Sequence, residues 1–165
     1  MRLLIVTLSI FATGCTFRLV LAPPTSPVPS SCALKVVDTR PDPDAMYFKG
    51  SGGTGRAIPE PSVSEAIRRA ACASMPTASL ERAATFVVTD FECTASGFLE
   101  IRYVVDLRGR LEIPGYAALA LRRGNMVQSY EGVWPKACES TAKPIFSALA
   151  TDIARAIQAY PLPKQ

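Results

Sequence analysis

The clearest pattern in the chain runs from residue 99 to residue 111. Leu99, Ile101, Tyr103, Val105, Leu107 and Leu111 alternate with Glu100, Arg102, Asp106, Arg108 and Arg110. Such alternation predicts a strand with one face buried and the other charged and in water. Ala84 to Cys93, rich in β-branched and aromatic residues, predicts the strand before it, and Ala95-Ser96-Gly97 the turn between them. Beyond Pro114-Gly115, the runs Tyr116–Leu121 and Met126–Trp134 read as two more strands joined at Gly124-Asn125, a hairpin signal. Upstream, Ala33 to Asp38 reads as a short strand. Pro41, Pro43 and the run Gly50-Ser51-Gly52-Gly53-Thr54-Gly55 then make Thr39 to Pro61 one long loop.

Helical spacing appears twice. Ser62-Val63-Ser64-Glu65 has the form of a capping box. Val63, Ala66, Ile67, Ala70 and Ala71 lie on one face after it, with Arg68 and Arg69 turned away and Pro76 closing the helix. Near the end, Phe146, Leu149, Ile153, Ile157 and Tyr160 share a side, with Ser140 or Thr141 as cap and Pro144 in the first turn. The order β-α-β-β-β(-β)-α predicts an α+β two-layer sandwich. Its sheet is mixed and mostly antiparallel, and two helices cover one face.

The first fifteen residues obey a different logic. Arg2 is a positive n-region, Leu3 to Ala12 is apolar, and Ala12-Thr13-Gly14 supplies small residues before Cys15. This is a secretory signal peptide with its cleavage site. The apolar run of about ten residues is half of what spanning requires. The segment Thr16 to Ser31, with Pro23, Pro24, Pro27 and Pro29, reads as an extended tether. Phe17 to Leu21 is an apolar patch within it, which belongs either on a membrane or on the folded domain. The expected organisation is a signal in residues 1–14, a tether from Cys15 to residue 31, and one domain over residues 32–165.

Composition narrows the chemistry. The chain has 165 residues and no histidine, which excludes histidine general bases, Ser-His and Cys-His dyads and His-ligated zinc. Without residues 1–14 it keeps 17 basic and 14 acidic groups, a charge of +3, with no basic run of the kind nucleic acid requires. Hydrophobic residues make up 48% of the chain, enough for a packed core.

Besides Cys15, the cysteines are Cys32, Cys72, Cys93 and Cys138. None lies in a Cys-x-x-Cys spacing, so redox catalysis and a thiolate zinc knuckle lack their motif. An even number in an exported chain points to two disulfides, with three connectivities open. The crossover brings Cys32 and Cys72 to one side of the sheet, and a three-strand meander brings Cys138 to Cys93. The expected pairs are therefore Cys32–Cys72 and Cys93–Cys138; a four-strand meander would separate the second pair. Cys72 falls opposite the apolar face of its helix, which counts against the first.

The Cys after small residues resembles the lipobox of bacterial lipoproteins, in which that Cys is acylated. Gly14 fits the pattern, and Ala12 stands where Leu is commonest. Together with Val36-Val37-Asp38-Thr39-Arg40-Pro41 before a capped helix, the layout resembles the small YajG-type lipoproteins, and more distantly LptE-like proteins. The resemblance implies a lipid-anchored envelope protein without catalysis. Thr16, not Asp, after Cys15 implies the periplasmic face of the outer membrane.

Candidate sites are few. Asp38, Arg40, Asp42 and Asp44 crowd the end of the first strand. They suit a cation held by carboxylates, an anion gripped by Arg40, or a turn closed by an Asp–Arg pair. Gly50–Gly55 lacks the Gly-Lys-Ser/Thr ending of a phosphate loop. No Gly-x-Ser-x-Gly elbow occurs. No metal site, cofactor or catalytic residue is expected. Trp134, Tyr130 and Tyr116 read as core or strand-end residues. The functional expectation is a non-enzymatic accessory, scaffold or assembly factor that meets an envelope protein through Asp38, Arg40, Glu100, Arg102, Asp106, Arg108 and Arg110. The alternative is a lipid- or small-ligand-binding auxiliary of envelope transport.

Overall fold

The computed structural model describes residues 16–21, 28–50, 53–97, 100–129 and 134–160. In chain order the elements are β1 (Thr16–Val20), β2 (Leu34–Asp38), β3 (Met46–Gly50), β4 (Gly53–Glu60), α1 (Val63–Ser74), α2 (Thr77–Leu80), β5 (Ala84–Ser96), β6 (Ile101–Glu112), β7 (Leu119–Ser129) and α3 (Trp134–Ala159). The described strands form one mixed sheet, and α1 and α3 pack together over one face of it. The architecture is the two-layer α+β sandwich.

Strand β5 is the spine. Ala84–Val88 pairs in parallel with β2, and Glu92–Ala95 pairs in parallel with β3. Its opposite edge pairs antiparallel with β6 over nearly its whole length. A register shift between Val88 and Asp90 marks a β-bulge. Phe86 and Val88 are buried before it, Phe91 and Cys93 after it. Without the extra residue, the second pair would point into water. On β6 the inward row is Tyr103, Val105, Leu107, Gly109 and Leu111. Gly109 completes it because the Phe86 ring already fills its side-chain position; a Cβ there would strike that ring and the Val87 carbonyl.

Four expectations about the elements need correction. Thr39 to Pro61 is not a loop: β3 and β4 form an antiparallel hairpin that extends the sheet past β5. Met46 and Phe48 are buried between exposed Tyr47 and Lys49, and Ala57 and Pro59 are buried beside Ile58. The alternation is real but only a few residues long, and glycines interrupt it. Gly55 belongs to it, because a Cβ there would meet Phe48 Cδ2 at 3.4 Å.

The tether begins with a strand. Thr16–Val20 pairs in parallel with Arg56–Glu60, and Leu19 and Leu21 are buried. Of the two places open to Phe17–Leu21, the chain takes the domain. Residues 1–15 and 22–27, which carry the signal, Cys15 and most of the prolines, lie outside the described residues.

Gly124-Asn125 makes no hairpin; β7 runs straight through it, with Val105 opposite Asn125 and Asp106 opposite Gly124. Asn125 is held by tertiary structure, since its Nδ2 donates to the Thr141 carbonyl at 3.2 Å. The meander is therefore β5-β6-β7.

Helix α3 begins at Trp134, not at Ser140 or Thr141, and Pro144 lies inside it. Pro135 lies in its first turn, where a proline costs the helix no hydrogen bond. The Ser140 and Thr141 hydroxyls bond back to the Ala137 carbonyl, at 3.0 and 2.6 Å. Pro144 cannot donate to the Ser140 carbonyl.

Ser62 Oγ accepts from the Glu65 N–H at 3.3 Å and caps α1, while the Glu65 carboxylate turns to Arg69 at 2.7 Å. Half of the capping box is used. Ala66 and Ala71 on α1, and Ala142, Ala150 and Ala154 on α3, are buried and let the helices approach closely. Arg82 closes the far end of α3 by donating to the Ile157 and Tyr160 carbonyls at 2.9 and 2.8 Å.

The cystines are Cys32–Cys72 and Cys93–Cys138. Cys72 lies off the apolar face of α1 yet is buried, because the chain ahead of β2 that carries Cys32 folds over it. Cys93–Cys138 bolts β5 to α3, a closure of 45 residues. Replacing both Cys93 and Cys138 by Ala should cost about 2–5 kcal/mol in urea unfolding, since the unfolded chain gains freedom. A loss under about 0.5 kcal/mol would show that helix and sheet hold each other without the bridge.

Candidate functional site

Both large helices lie on one face of the sheet, so the other face is open. Strand β6 runs along it one strand in from the β7 edge. Its outward row is Arg102, Val104, Asp106, Arg108, Arg110 and Glu112, with Arg102, Arg108 and Arg110 exposed. Glu100, half-buried, stands at the turn before the strand. Asp106 departs from the wet row expected of it: it is buried. Two guanidinium groups enclose it, Arg108 Nη2 at 2.6 Å and Arg122 Nε at 2.9 Å. Gly124 is the residue opposite Asp106 on β7. Burial pushes the Asp106 carboxyl upward, but the hydrogen bonds from Arg122 and Arg108 outweigh it and hold it below the usual carboxylate value. Arg110 pairs with Glu112 at 2.6 Å.

Asp38 and Arg40 are not on this surface, contrary to expectation. Arg40 is 8% exposed. Its Nε and Nη2 form a fork onto the Asp38 carboxylate at 2.9 and 2.6 Å. Nη1 donates to the Ala45 carbonyl at 2.6 Å and Nη2 to the Pro43 carbonyl at 2.8 Å. The ring of Phe91 lies 5.7 Å from the guanidinium carbon. All the donors engaged here serve residues 38–45, so the reading as a turn closed by an Asp–Arg pair is what the structure shows.

Asp42 is occupied separately. Tyr47 Oη donates to it at 2.9 Å and Arg56 Nε at 3.1 Å. The Arg56 and Tyr47 hydrogen bonds hold its carboxyl below the ordinary value, and the same bond raises the Tyr47 phenol. Asp38 and Asp42 therefore face different cations of the protein itself, and Asp44 is exposed. No cluster of three or more His, Cys, Asp or Glu placed to hold a metal occurs among the described residues. A shallow cleft of about 290 Å³ lies beside this turn, floored by Thr89–Glu92 and rimmed by Arg40, Asp42, Tyr47 and Lys49. Lys49 closes one side through Glu92 at 2.5 Å.

Gly50 and Gly53–Gly55, set aside as a phosphate loop, are the ends of β3 and β4. Tyr116 packs on Tyr160 with ring centroids 4.6 Å apart. Tyr130 and the side chain of Trp134 lie outside the described residues. Sequence reasoning missed Arg122, whose only signal was its position two residues before a glycine opposite Asp106. It also missed the ion pair of Arg123 with Asp152, Nη2 to Oδ1 at 2.6 Å, which ties β7 to α3.

No family model and no curated protein sequence matches this chain. Among solved structures, a DUF330 protein of Xanthomonas campestris superposes with a TM-score of 0.52 at 9% identity, over 87% of this chain and 95% of that one. That likeness is one of fold. A minor lipoprotein of Acinetobacter baumannii superposes with a TM-score of 0.41 at 13% identity, over 76% of this chain and 91% of that one. The YajG-like resemblance is carried by the opening residues and by Val36 to Pro41. The last two residues of that stretch, Arg40 and Pro41, belong to a structural turn.

Arg40→Met should cost about 3–5 kcal/mol in urea unfolding, because Asp38 would stay buried without its partner. Asp38→Asn combined with Arg40→Met should lose less than the single change. An equal loss would contradict a charge-pairing role. For Asp106, a folded-state value below the unfolded 3.8 means that its contribution is complete above that pH and fades as pH falls below it. The stability advantage of wild type over Asp106→Asn should therefore shrink on acidification through that range. A constant difference would contradict the ionised triad.

Proposed function

We propose that this chain is a membrane-anchored lipoprotein on the periplasmic face of the bacterial outer membrane. In this reading it acts without catalysis, as an accessory or scaffold that docks an envelope protein on the open face of its sheet. The observation that carries the reading is that face itself: Arg102, Arg108 and Arg110 stand exposed in a row along β6, one strand in from the β7 edge. Arg108 is additionally held in place by Asp106, which stiffens the row and lowers the ordering cost of binding. Neighbouring Glu92, Asp90 and Glu112 mix the sign, an arrangement that favours specificity and steering over raw affinity.

Cys15 after Ala12-Thr13-Gly14 supports the anchor, and two disulfides suit an oxidising compartment. No helix among the described residues is long and apolar enough to cross a membrane. A histidine-free sequence leaves no histidine general base and no Ser-His or Cys-His dyad. The ligand-binding alternative gains nothing from the packing: Phe48, Phe86, Tyr103, Leu107, Leu149 and Ile153 fill the space between helices and sheet.

Arg102→Glu with Arg110→Glu should abolish crosslinking of the chain to its envelope partner in intact cells while leaving the melting temperature within about 2 °C. An unchanged set of crosslinked products would remove this face from consideration.

A further inference from the structure

We propose that the β1 edge of the sheet lies directly on the lipid bilayer, so that the domain is held against the membrane and does not hang from a leash. The inference rests on the lipid-anchor reading of Cys15 and adds to it a surface and an orientation.

The distance available is short. Cys15 immediately precedes Thr16, and Thr16 is already in the sheet opposite Arg56. One residue spans at most about 3.6 Å. An acylated sulfur there is separated from the edge of the domain by little more than its own side chain. The proline-rich segment comes after β1 and leads to β2, so it cannot act as a spacer between lipid and fold.

Apolar surface is exposed at the same edge. Among the described residues, the large exposed hydrophobic ones are Phe17 (38%), Val20 (43%), Tyr47 (42%), Ile58 (37%) and Met126 (51%). The first four belong to β1, β3 and β4; only Met126 lies on β7, at the opposite margin of the sheet. Arg18 is paired with Ile58, and Val20 with Glu60, so Val20 and Ile58 are diagonal neighbours on the outer face. Tyr47 lies one strand further in, opposite Arg56. Phe17 has the parity of buried Leu19 and Leu21 and stands on the helix side of β1, so the outer-face patch is Val20, Ile58 and Tyr47, on the margin to which the acyl chains would be attached.

Charge fixes the kind of surface. The basic groups around the patch are matched: Arg18 with Glu60 at 3.4 Å, Arg56 with Asp42 at 3.1 Å, Lys49 with Glu92 at 2.5 Å. A matched rim does not require anionic lipid. It suits the polar headgroup layer, where aromatic rings and long basic stems span from apolar to wet. The lipid surface also covers an outermost strand that would otherwise be open to another sheet edge. Part of that edge is closed from within, since the Val20 N–H donates to Glu139 Oε2 at 3.3 Å.

Hydroxyl-radical footprinting tests the proposal with Met126 as internal reference. The native lipidated chain is placed in vesicles of phosphatidylethanolamine and phosphatidylglycerol. It is compared with the mature chain carrying Cys15→Ser, exported behind an ordinary cleaved signal, in solution. Oxidation of Val20, Ile58 and Tyr47 should fall several-fold in vesicles, with Met126 unchanged and the effect independent of the phosphatidylglycerol fraction. Intact mass and vesicle flotation report the anchor separately. A lipidated, floating chain with Val20, Ile58 and Tyr47 still fully reactive would overturn the surface and leave the anchor standing. A chain with no added lipid mass would overturn both. Concentration-dependent protection of Ile58 and Tyr47 in the lipid-free chain would mean that a second copy covers this edge, and would also overturn the proposal.

Discussion

Arg40 and Asp38 meet where β2 stops and the chain leaves the edge of β5 for residues 39–45 before β3 takes that edge up again. The excursion contains two prolines, and its carbonyls have no ladder to join. A buried guanidinium supplies the missing donors to Pro43 and Ala45, and the Asp38 carboxylate neutralises it. The outer strands of the sheet are built outward from that point. β3 fixes β4, β4 accepts β1, and β1 begins one residue after Cys15. A charge pair that reads as a binding motif is therefore the joint from which β3, β4 and β1 are set in place.

The two faces of the sheet divide the chemistry. Inward, the bulge in β5 and the glycine at 109 keep large side chains in register beneath α1 and α3, and Cys93–Cys138 and Arg123–Asp152 lock the second layer down. Outward, charges are arranged in local pairs, and Asp106 is the one acidic group on β6 drawn out of water. It is stable there because two arginines reach it from different strands. Core and open face thus depend on the same strands, β5 and β6.

Much of this architecture is legible in the sequence. Long strands with clean alternation, β5 and β6, and the Ser62-capped helix announce themselves, because each buries one face over many residues. The two-layer class comes from their order. The hidden features depend on contacts between distant residues. Gly124-Asn125 carries a turn signal, but Asn125 is bound by Thr141 of α3 and the strand continues. Pro144 has the look of a first-turn proline; in place it is an interior one, with Pro135 starting the helix. The β3–β4 hairpin alternates over only a few residues between glycines, too short for periodicity to stand out. Thr16–Val20 reads as a tether because a parallel edge strand is specified by its neighbour β4, and nothing near it in sequence names that neighbour. At the candidate site, the exposure of Arg102, Arg108 and Arg110 can be read from parity alone. The burial of Asp38, Arg40 and Asp106 cannot, because it is produced by Ala45, Phe91 and Arg122.

The first residues after Cys15 form an integral strand, paired to β4 from Thr16 to Val20. Amide hydrogen exchange of the mature protein addresses this directly. Amides of Phe17–Val20 that pair with Arg56–Glu60 should exchange orders of magnitude more slowly than an unstructured chain, with protection comparable to that of β4 itself. Exchange of that whole segment at the rate of an open peptide, with β5 and β6 protected, would contradict it.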